Sequence, residues 1–169
     1  KVEAAINPEE KAEQKGIAAY ADKFFRASGA LAVDCYKREI EAALKSEELS
    51  GFQLLDIQDF TGQGTALVGV LNALMEPKGT VTAEEWRHFC DKTVIMAEFD
   101  RFVFSAEESI DFGITLFNTD PEFEASRVSY TIESEGSVEL YGHVRVKHDK
   151  RVNRLGRINF SPDGIDKPT

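Results

Sequence analysis

A cluster of polar side chains follows a short apolar segment, Phe52 to Ile57, in the first half of the chain. The cluster consists of Asp56, Gln58, Asp59, Gln63 and Thr65. In parallel α/β folds the loops after the carboxyl ends of strands hold the ligand, so this position favours a binding site. Aspartates also cap helices and accept backbone N–H bonds in tight loops. The residue types alone leave both interpretations open.

Other motifs in the chain add little chemistry. The Gly62-Gln63-Gly64 motif lacks the third glycine of a dinucleotide-binding loop, because Leu67 stands at that position, and no P-loop Gly-Lys-Ser/Thr follows. No serine lies in a nucleophile elbow. His88, His143 and His148 lack the spacing of a zinc site. We therefore expect no nucleotide, no protein-bound metal and no other cofactor.

Two amphipathic helices are predicted at the start of the chain. Asn7, Pro8 and Glu10 indicate a helix N-terminus, and a break at Ser28-Gly29 precedes a second helix that ends near Leu44. Apolar residues recur at helical spacing in both helices. They are Ile17, Tyr20, Phe24 and Phe25, then Ala32, Tyr36, Ile40 and Leu44. This pattern favours a core position for Tyr36 over stacking on a sugar.

The segment that follows these helices is typical of an α/β layer. Phe52 to Ile57 has the length and the apolar character of a strand that is buried on both faces. Thr65 to Met75 is predicted to be helical in part, and Thr82 with Glu85 forms a capping box before Trp86. Trp86 lies on a predicted apolar helix face, so a core position is again favoured over sugar stacking.

From Val94 onward the apolar period changes to two, which predicts an antiparallel β region. The alternating residues include Ile110, Phe112, Ile114 and Leu116, then Val128, Tyr130 and Ile132. An immunoglobulin-like sandwich takes about 100 residues and seven strands, which is more than Ile95 to Thr169 provides. We therefore expect two incomplete domains, residues 1–92 and residues 93–169.

The charges of the 169-residue chain sum to a formal −10 and are unevenly placed. Val94 to Leu140 holds eleven acidic and two basic residues, whereas Tyr141 to Arg157 holds six basic residues and one acidic residue. One short basic patch does not make a nucleic-acid surface, and no apolar stretch is long enough for a membrane helix. Neither partner is expected. Cys35 and Cys90 have apolar neighbours and are expected to be buried thiols.

The run from Gly51 to Leu71 closely resembles bacterial members of glycoside hydrolase family 2, the group of β-galactosidases, β-glucuronidases and β-mannosidases. The similarity extends back through Ala27 to Leu31 and Cys35 to Glu41. It extends forward through Glu84 to Cys90 into the β region, and it covers most of the chain. The longest matching run is the specific part of the resemblance.

The resemblance implies a fold and a site. Phe52 to Ile57 would be the last strand of the family's catalytic (β/α)₈ TIM barrel, and the β-sandwich would follow the barrel. Asp56, Gln58 and Asp59 would contact sugar hydroxyls at the rim of the active site. Retaining enzymes use two carboxylates about 5 to 5.5 Å apart, and the family's two glutamates have no matching positions here. Ile57 replaces an aromatic residue of β-galactosidases, so the sugar is not identified.

The leading hypothesis is therefore the C-terminal portion of a retaining glycoside hydrolase that is inactive alone. The alternatives are a carbohydrate-binding module, for which Tyr130 and Tyr141 are the tyrosines available in the β region, and a protein-interaction module. One barrel strand leaves helix faces uncovered, so we expect self-association or packing against the missing part of the barrel. The chain begins without a secretory signal, and the hypothesis implies a periplasmic or secreted parent.

Overall fold

The computed structural model describes residues 8–63, 67–105, 107–134, 137–146 and 149–162. The chain divides into two compact units, each made of two segments. The first unit comprises Lys1–Ile40 and Gly51–Trp86, and the second comprises Glu41–Ser50 and Arg87–Thr169. Each unit is described by itself below.

Helices dominate the start of the chain. Helix α1 spans Pro8–Gln14, a 3₁₀ turn spans Ala18–Tyr20, and helix α2 spans Ala21–Lys45. Gly16 adopts a φ of 68°, a left-handed conformation that glycine adopts without strain, and it separates α1 from the 3₁₀ turn. The Asn7 cap that the sequence predicts lies outside the described residues.

The predicted break at Ser28-Gly29 is wrong, because α2 continues through both residues. The Ser28 hydroxyl donates to the Phe25 carbonyl at 3.1 Å, so its polar side chain is satisfied inside the helix. A Cβ atom on Gly29 would collide with the Thr80 side chain, which shows that the glycine permits a close approach. The predicted end of this helix near Leu44 is confirmed by the end of α2 at Lys45.

The second unit holds the β region that the sequence predicts from Val94 onward, and its antiparallel character is confirmed. The five strands in the described residues are β1 Thr93–Phe99, β2 Ile110–Asn118, β3 Arg127–Ser134, β4 Ser137–Arg145 and β5 Val152–Phe160. Strands β1, β2 and β5 form one antiparallel sheet in the order β1-β2-β5, and β3 pairs with β4 in a second sheet.

Apolar side chains of the two sheets pack against one another. Phe112, Ile114 and Ile158 form a buried cluster that is flanked by Tyr130 and Ile132 of the two-stranded sheet. Leu116 is fully buried in a second cluster with Val128 and Val146. The side chains that alternate in the sequence therefore supply the core between the sheets, in a sandwich-like arrangement.

The predicted TIM-barrel portion is wrong. Phe52–Ile57 forms no strand, and Leu55 at its centre is 78% exposed. The described part of Thr65–Met75, residues 67–75, is not helical, and an isolated bridge between Gln58 and Leu71 is the only β pairing of the predicted strand region within the described residues. A barrel strand requires a parallel strand on each side, and the described residues provide only the single parallel bridge between Gln58 and Leu71. In the second domain the described strands form sheets of three and two strands, which is fewer than the seven strands of a complete immunoglobulin-like sandwich.

Three further surface features follow from the described residues. None of the described helices has the length and apolar character that would let it cross a membrane. Cys35 is exposed and Cys90 is partly buried, and neither is in a disulfide, so the prediction of a buried thiol at Cys35 is wrong. Phe24 and Phe25 are each about half exposed, in contrast to Ile40, which is buried.

Candidate functional site

The segment after the predicted strand is held by a small set of backbone hydrogen bonds. The Leu71 N–H donates to the Ile57 carbonyl at 3.1 Å, and the Asp59 N–H donates to the Leu71 carbonyl at 3.0 Å. The Lys78 N–H donates to the Val70 carbonyl at 3.1 Å. These bonds place three stretches of irregular chain side by side, around residues 58, 70 and 78.

A buried ion pair joins these stretches. The Lys78 ammonium lies 2.7 Å from Oδ1 of Asp59, and their side chains are only 16% and 10% exposed. The ammonium also donates to the carbonyls of Gly69 at 2.9 Å and Leu67 at 3.3 Å. Oδ1 of Asp59 additionally accepts the Gly69 N–H at 3.0 Å. Each charge is therefore compensated by several partners, which a buried ion pair requires.

Gly69 is the point of closest approach in this arrangement. A Cβ atom at this position would lie 2.6 Å from the backbone nitrogen of Asp59 and would also collide with the backbone of Gln58. Because backbone atoms cannot rotate away as a flexible side chain does, only glycine fits here. The ion pair and the glycine together fix the path of the chain on both sides of Gln58.

Asp56 and Gln58 are presented to solvent beside this fixed segment. Both residues are exposed, whereas Asp59 is 8% exposed. Asp56 has a φ of 61°, a left-handed conformation that is uncommon for residues other than glycine and is tolerated best by Asn and Asp. Strained backbone of this kind is concentrated at functional sites. Of the three residues predicted for the site, Asp56 and Gln58 have accessible side chains and Asp59 holds the segment together.

An aromatic pair lies within electrostatic reach of Asp56. The rings of Tyr36 and Trp86 meet edge to face, with centroids 5.9 Å apart. Burial raises the pKa of the Tyr36 phenol, and the carboxylates of Asp56 and then Glu39 raise it further. A negative charge opposes ionisation of the phenol, and the Asp56 carboxylate has this effect on Tyr36.

Trp86 is positioned by a short helix, α3, which spans Ala83–Arg87. The capping box predicted at its start is confirmed: the Glu85 N–H donates to the Thr82 hydroxyl at 3.1 Å, and the Thr82 N–H donates to the Glu85 carboxylate at 2.8 Å. Two backbone donors at the helix start are thereby satisfied. Trp86 remains only partly buried.

The site that the structure brings together therefore differs from the predicted cluster. Asp56, Tyr36 and Trp86 combine an exposed carboxylate with two partly buried rings, the combination that binds polar ligands with an apolar face. The sequence interpretation assigned both rings to the core, and the structure leaves them at the surface in part. Lys78 was also missed, because a lysine in a Pro-Lys-Gly turn carries no sign of a partner nineteen residues away.

The two other predicted members of the cluster are Gln63 and Thr65. Gln63 is exposed, and Thr65 lies outside the described residues. Within the ranges that the structure describes, no three His, Cys, Asp or Glu side chains come together in a way that would hold a metal ion.

The ion pair predicts a large stability effect of one substitution. Asp59→Asn removes the charge that compensates a mostly buried ammonium, so we expect a loss of about 3 to 5 kcal/mol in the free energy of unfolding. Urea unfolding followed by circular dichroism measures this loss. Asp34→Asn is the matched control, because the Asp34–Arg38 pair is about half exposed and its loss should cost about 0.3 to 0.5 kcal/mol. Equal effects of the two substitutions would contradict the assigned role of Asp59.

The proximity of Asp56 to Tyr36 predicts a change in ionisation. Asp56→Asn removes a negative charge near the phenol, so the pKa of Tyr36 should fall while burial keeps it above the usual tyrosine range. NMR titration of tyrosines labelled at Cζ measures the shift, with Tyr36→Phe to assign the signal. Glu39→Gln should lower the pKa less, because Glu39 contributes less than Asp56. An unchanged pKa in Asp56→Asn would contradict the placement of these side chains.

No family model matches the chain, and no curated protein matches it. The resemblance to glycoside hydrolase family 2 therefore remains a hypothesis that rests on the residues quoted for it.

Proposed function

We propose that the chain is the C-terminal portion of a retaining glycoside hydrolase, and that it contributes a sugar-contacting surface but no catalytic carboxylate. The Asp56 carboxylate accepts hydrogen bonds from sugar hydroxyls, and the Gln58 amide can both accept and donate them. Tyr36 and Trp86 offer ring surface to the apolar face of the sugar. Asp59 does not contact the sugar in this proposal. Its ion pair with Lys78 holds the neighbouring Gln58 in place.

The observation that carries the proposal is the conformation of Asp56. Asp56 is exposed and its backbone is left-handed. Its negative charge raises the pKa of the partly buried Tyr36, whose ring contacts Trp86. Carboxylates beside aromatic rings are suited to sugars, which present hydroxyl groups at their rim and C–H bonds on their faces.

The exposed apolar side chains of the first unit support a place within a larger enzyme. Several large apolar residues of this unit are about half exposed or more. They include Phe24, Phe25, Leu31, Leu55 and Leu74. Apolar surface of this extent is typical of a region that other polypeptide covers. We propose that the remaining part of the hydrolase, or a second chain, packs on it.

A carbohydrate-binding role of the β region alone receives less support. Tyr141 is 66% exposed, but Tyr130 packs with the buried cluster between the sheets. Of the two tyrosines on which that alternative relies, only one therefore offers an accessible ring.

The proposed contact surface predicts sugar binding that Trp86 can report, because Trp86 is the single tryptophan of the chain. Titration with methyl β-galactoside, methyl β-glucuronide and methyl β-mannoside should give a saturable change in tryptophan fluorescence with at least one sugar. Asp56→Asn should weaken that binding about 10- to 150-fold, because a hydrogen bond to a charged group contributes about 1.5 to 3 kcal/mol.

Asp100→Asn provides the control for this titration, since Asp100 is a highly exposed carboxylate of the second unit. Its affinity for the sugar should equal that of the unchanged chain. The proposal fails if none of the three sugars changes the fluorescence, or if Asp56→Asn and Asp100→Asn behave alike.

The missing catalytic pair predicts that the purified chain does not turn over nitrophenyl β-galactoside, β-glucuronide or β-mannoside. Double displacement needs a nucleophile and an acid, and the matching glutamates are not encoded here. Release of nitrophenol is the measurement. Turnover by the pure chain that a single substitution such as Asp56→Asn abolishes would overturn this part of the proposal.

A further inference from the structure

We propose that the outer edge of strand β3 is a self-association surface, on which a second copy of this chain adds its own β3 in antiparallel register. The pairing is centred on Tyr130 of both copies. It extends the two-stranded sheet into a four-stranded sheet that is shared by the dimer. The proposal concerns the second unit and is independent of the sugar-contacting surface.

The two sheets of the second unit have unequal widths, and this leaves a groove. Within the part of the chain that the structure describes, strand β3 pairs only with β4 and β1 pairs only with β2, so each has one edge without a described partner strand. An apolar groove of about 500 Å³ is lined by residues of both strands, among them Ile95, Ala97, Val128 and Ile132. Ile95 is 50% exposed there. A strand added beside β3 widens the narrower sheet on the side where the groove lies.

The edge of β3 accepts only some registers. Alternate residues of a strand direct their N–H and C=O groups to the same side, and β3 uses one set to pair with β4. The residues that direct their backbone groups to the free edge are therefore all odd or all even in number. In an antiparallel pair of two β3 strands, the sequence numbers of two residues that lie opposite each other must then add up to an even number. Among the even sums, 260 and 262 overlap the two strands most, because β3 spans Arg127–Ser134.

Charge complementarity selects one of these registers. With a sum of 260, Arg127 of each copy lies opposite Glu133 of the other, and Ser129 lies opposite Thr131. All four residues are exposed and alternate on one face of the strand. A sum of 258 places Arg127 opposite Thr131, and a sum of 262 places it opposite Glu135, which follows the end of β3 in the sequence. Only the sum of 260 pairs Arg127 with a glutamate of the strand itself. Opposite charges across strands stabilise a sheet.

The hairpin itself provides a reason for this pairing. Arg127 lies directly opposite Arg145 in the β3–β4 register, and like charges across strands are destabilising. Glu139 is exposed near Glu133 at the other end of the hairpin. One end of the hairpin is thus basic and the other acidic, and an antiparallel copy brings opposite ends together.

The inner face of β3 is compatible with the same register. Val128 of each copy lies opposite Ile132 of the other, which gives two apolar pairs above the groove. Tyr130 does not obstruct the edge, because its ring lies across Gly142 of β4, where a Cβ atom would collide with the hydroxyl. The interface is self-complementary, as a two-fold dimer requires.

Sedimentation equilibrium of the full chain tests the proposal. The unchanged chain should form dimers, and Arg127→Glu or Glu133→Arg alone should raise the dissociation constant about 10- to 100-fold, since each creates two like-charge pairs per dimer. The double variant Arg127→Glu/Glu133→Arg restores both pairs in reverse and should return the dissociation constant to near its original value.

Two controls separate the pairing from general charge or folding effects. Arg154→Glu on β5 makes the same change in net charge away from β3 and should leave the dissociation constant unchanged. Arg127→Glu also removes the like-charge contact with Arg145, so circular dichroism and thermal unfolding should show a folded chain. A chain that stays monomeric at all concentrations, or single and double variants that dimerise equally, would overturn the proposal, as would assembly only with a different protein.

Discussion

The buried ion pair between Asp59 and Lys78 is the interaction on which the irregular segment of the first unit depends. This segment has little regular secondary structure to satisfy its backbone groups, and its described bridges involve single residues. The Lys78 ammonium satisfies some of these groups, because it donates hydrogen bonds to two backbone carbonyls and to the Asp59 carboxylate. The carboxylate also accepts a hydrogen bond from a backbone N–H. An ion pair shielded from water in this way is stabilising only when further hydrogen bonds compensate its charges, as the bonds to Oδ1 of Asp59 and to the Lys78 ammonium do here. Gly69 allows its own segment to approach the backbone of Gln58 and Asp59 closely enough for these hydrogen bonds.

Two aspartates three residues apart lie in different surroundings. Asp59 is nearly inaccessible and its Oδ1 atom is bonded to the protein, whereas Asp56 is exposed and its backbone is strained. A ligand cannot reach Asp59 without breaking the pair with Lys78. Asp56 needs no rearrangement to reach a ligand, and the fixed segment next to it limits the loss of chain entropy on binding. The structural interpretation of the polar cluster therefore applies to Asp59, and the proposed ligand contact falls to Asp56.

The sequence predicted those features that depend on neighbouring residues. The alternation of Ile110, Phe112, Ile114 and Leu116 predicted β2, and the Thr82–Glu85 spacing predicted the start of α3. The sequence-based predictions were wrong where contacts between residues far apart in the chain determine the local structure. The apolar run Phe52–Ile57 fits a buried strand equally well whether or not neighbouring strands exist, and here the run remains largely exposed. Ser28-Gly29 is a common helix end, but a local hydroxyl bond and a close neighbour, Thr80, keep it inside α2. The partial exposure of the Tyr36 and Trp86 rings was not predicted for the same reason, since helical spacing does not reveal how deeply a side chain is buried.

The charge pattern of the β3–β4 hairpin is easier to explain at a shared edge than in an isolated sheet. Arg127 and Arg145 oppose each other across two strands, a placement that weakens the hairpin in which it occurs. Isolated edges are commonly protected by charges that repel a second strand. An edge with arginine at one end and glutamate at the other repels a parallel copy but attracts an antiparallel one. The same residues therefore exclude one mode of association and select the other, and the apolar groove beside the edge adds a reason for the selected strand to bind.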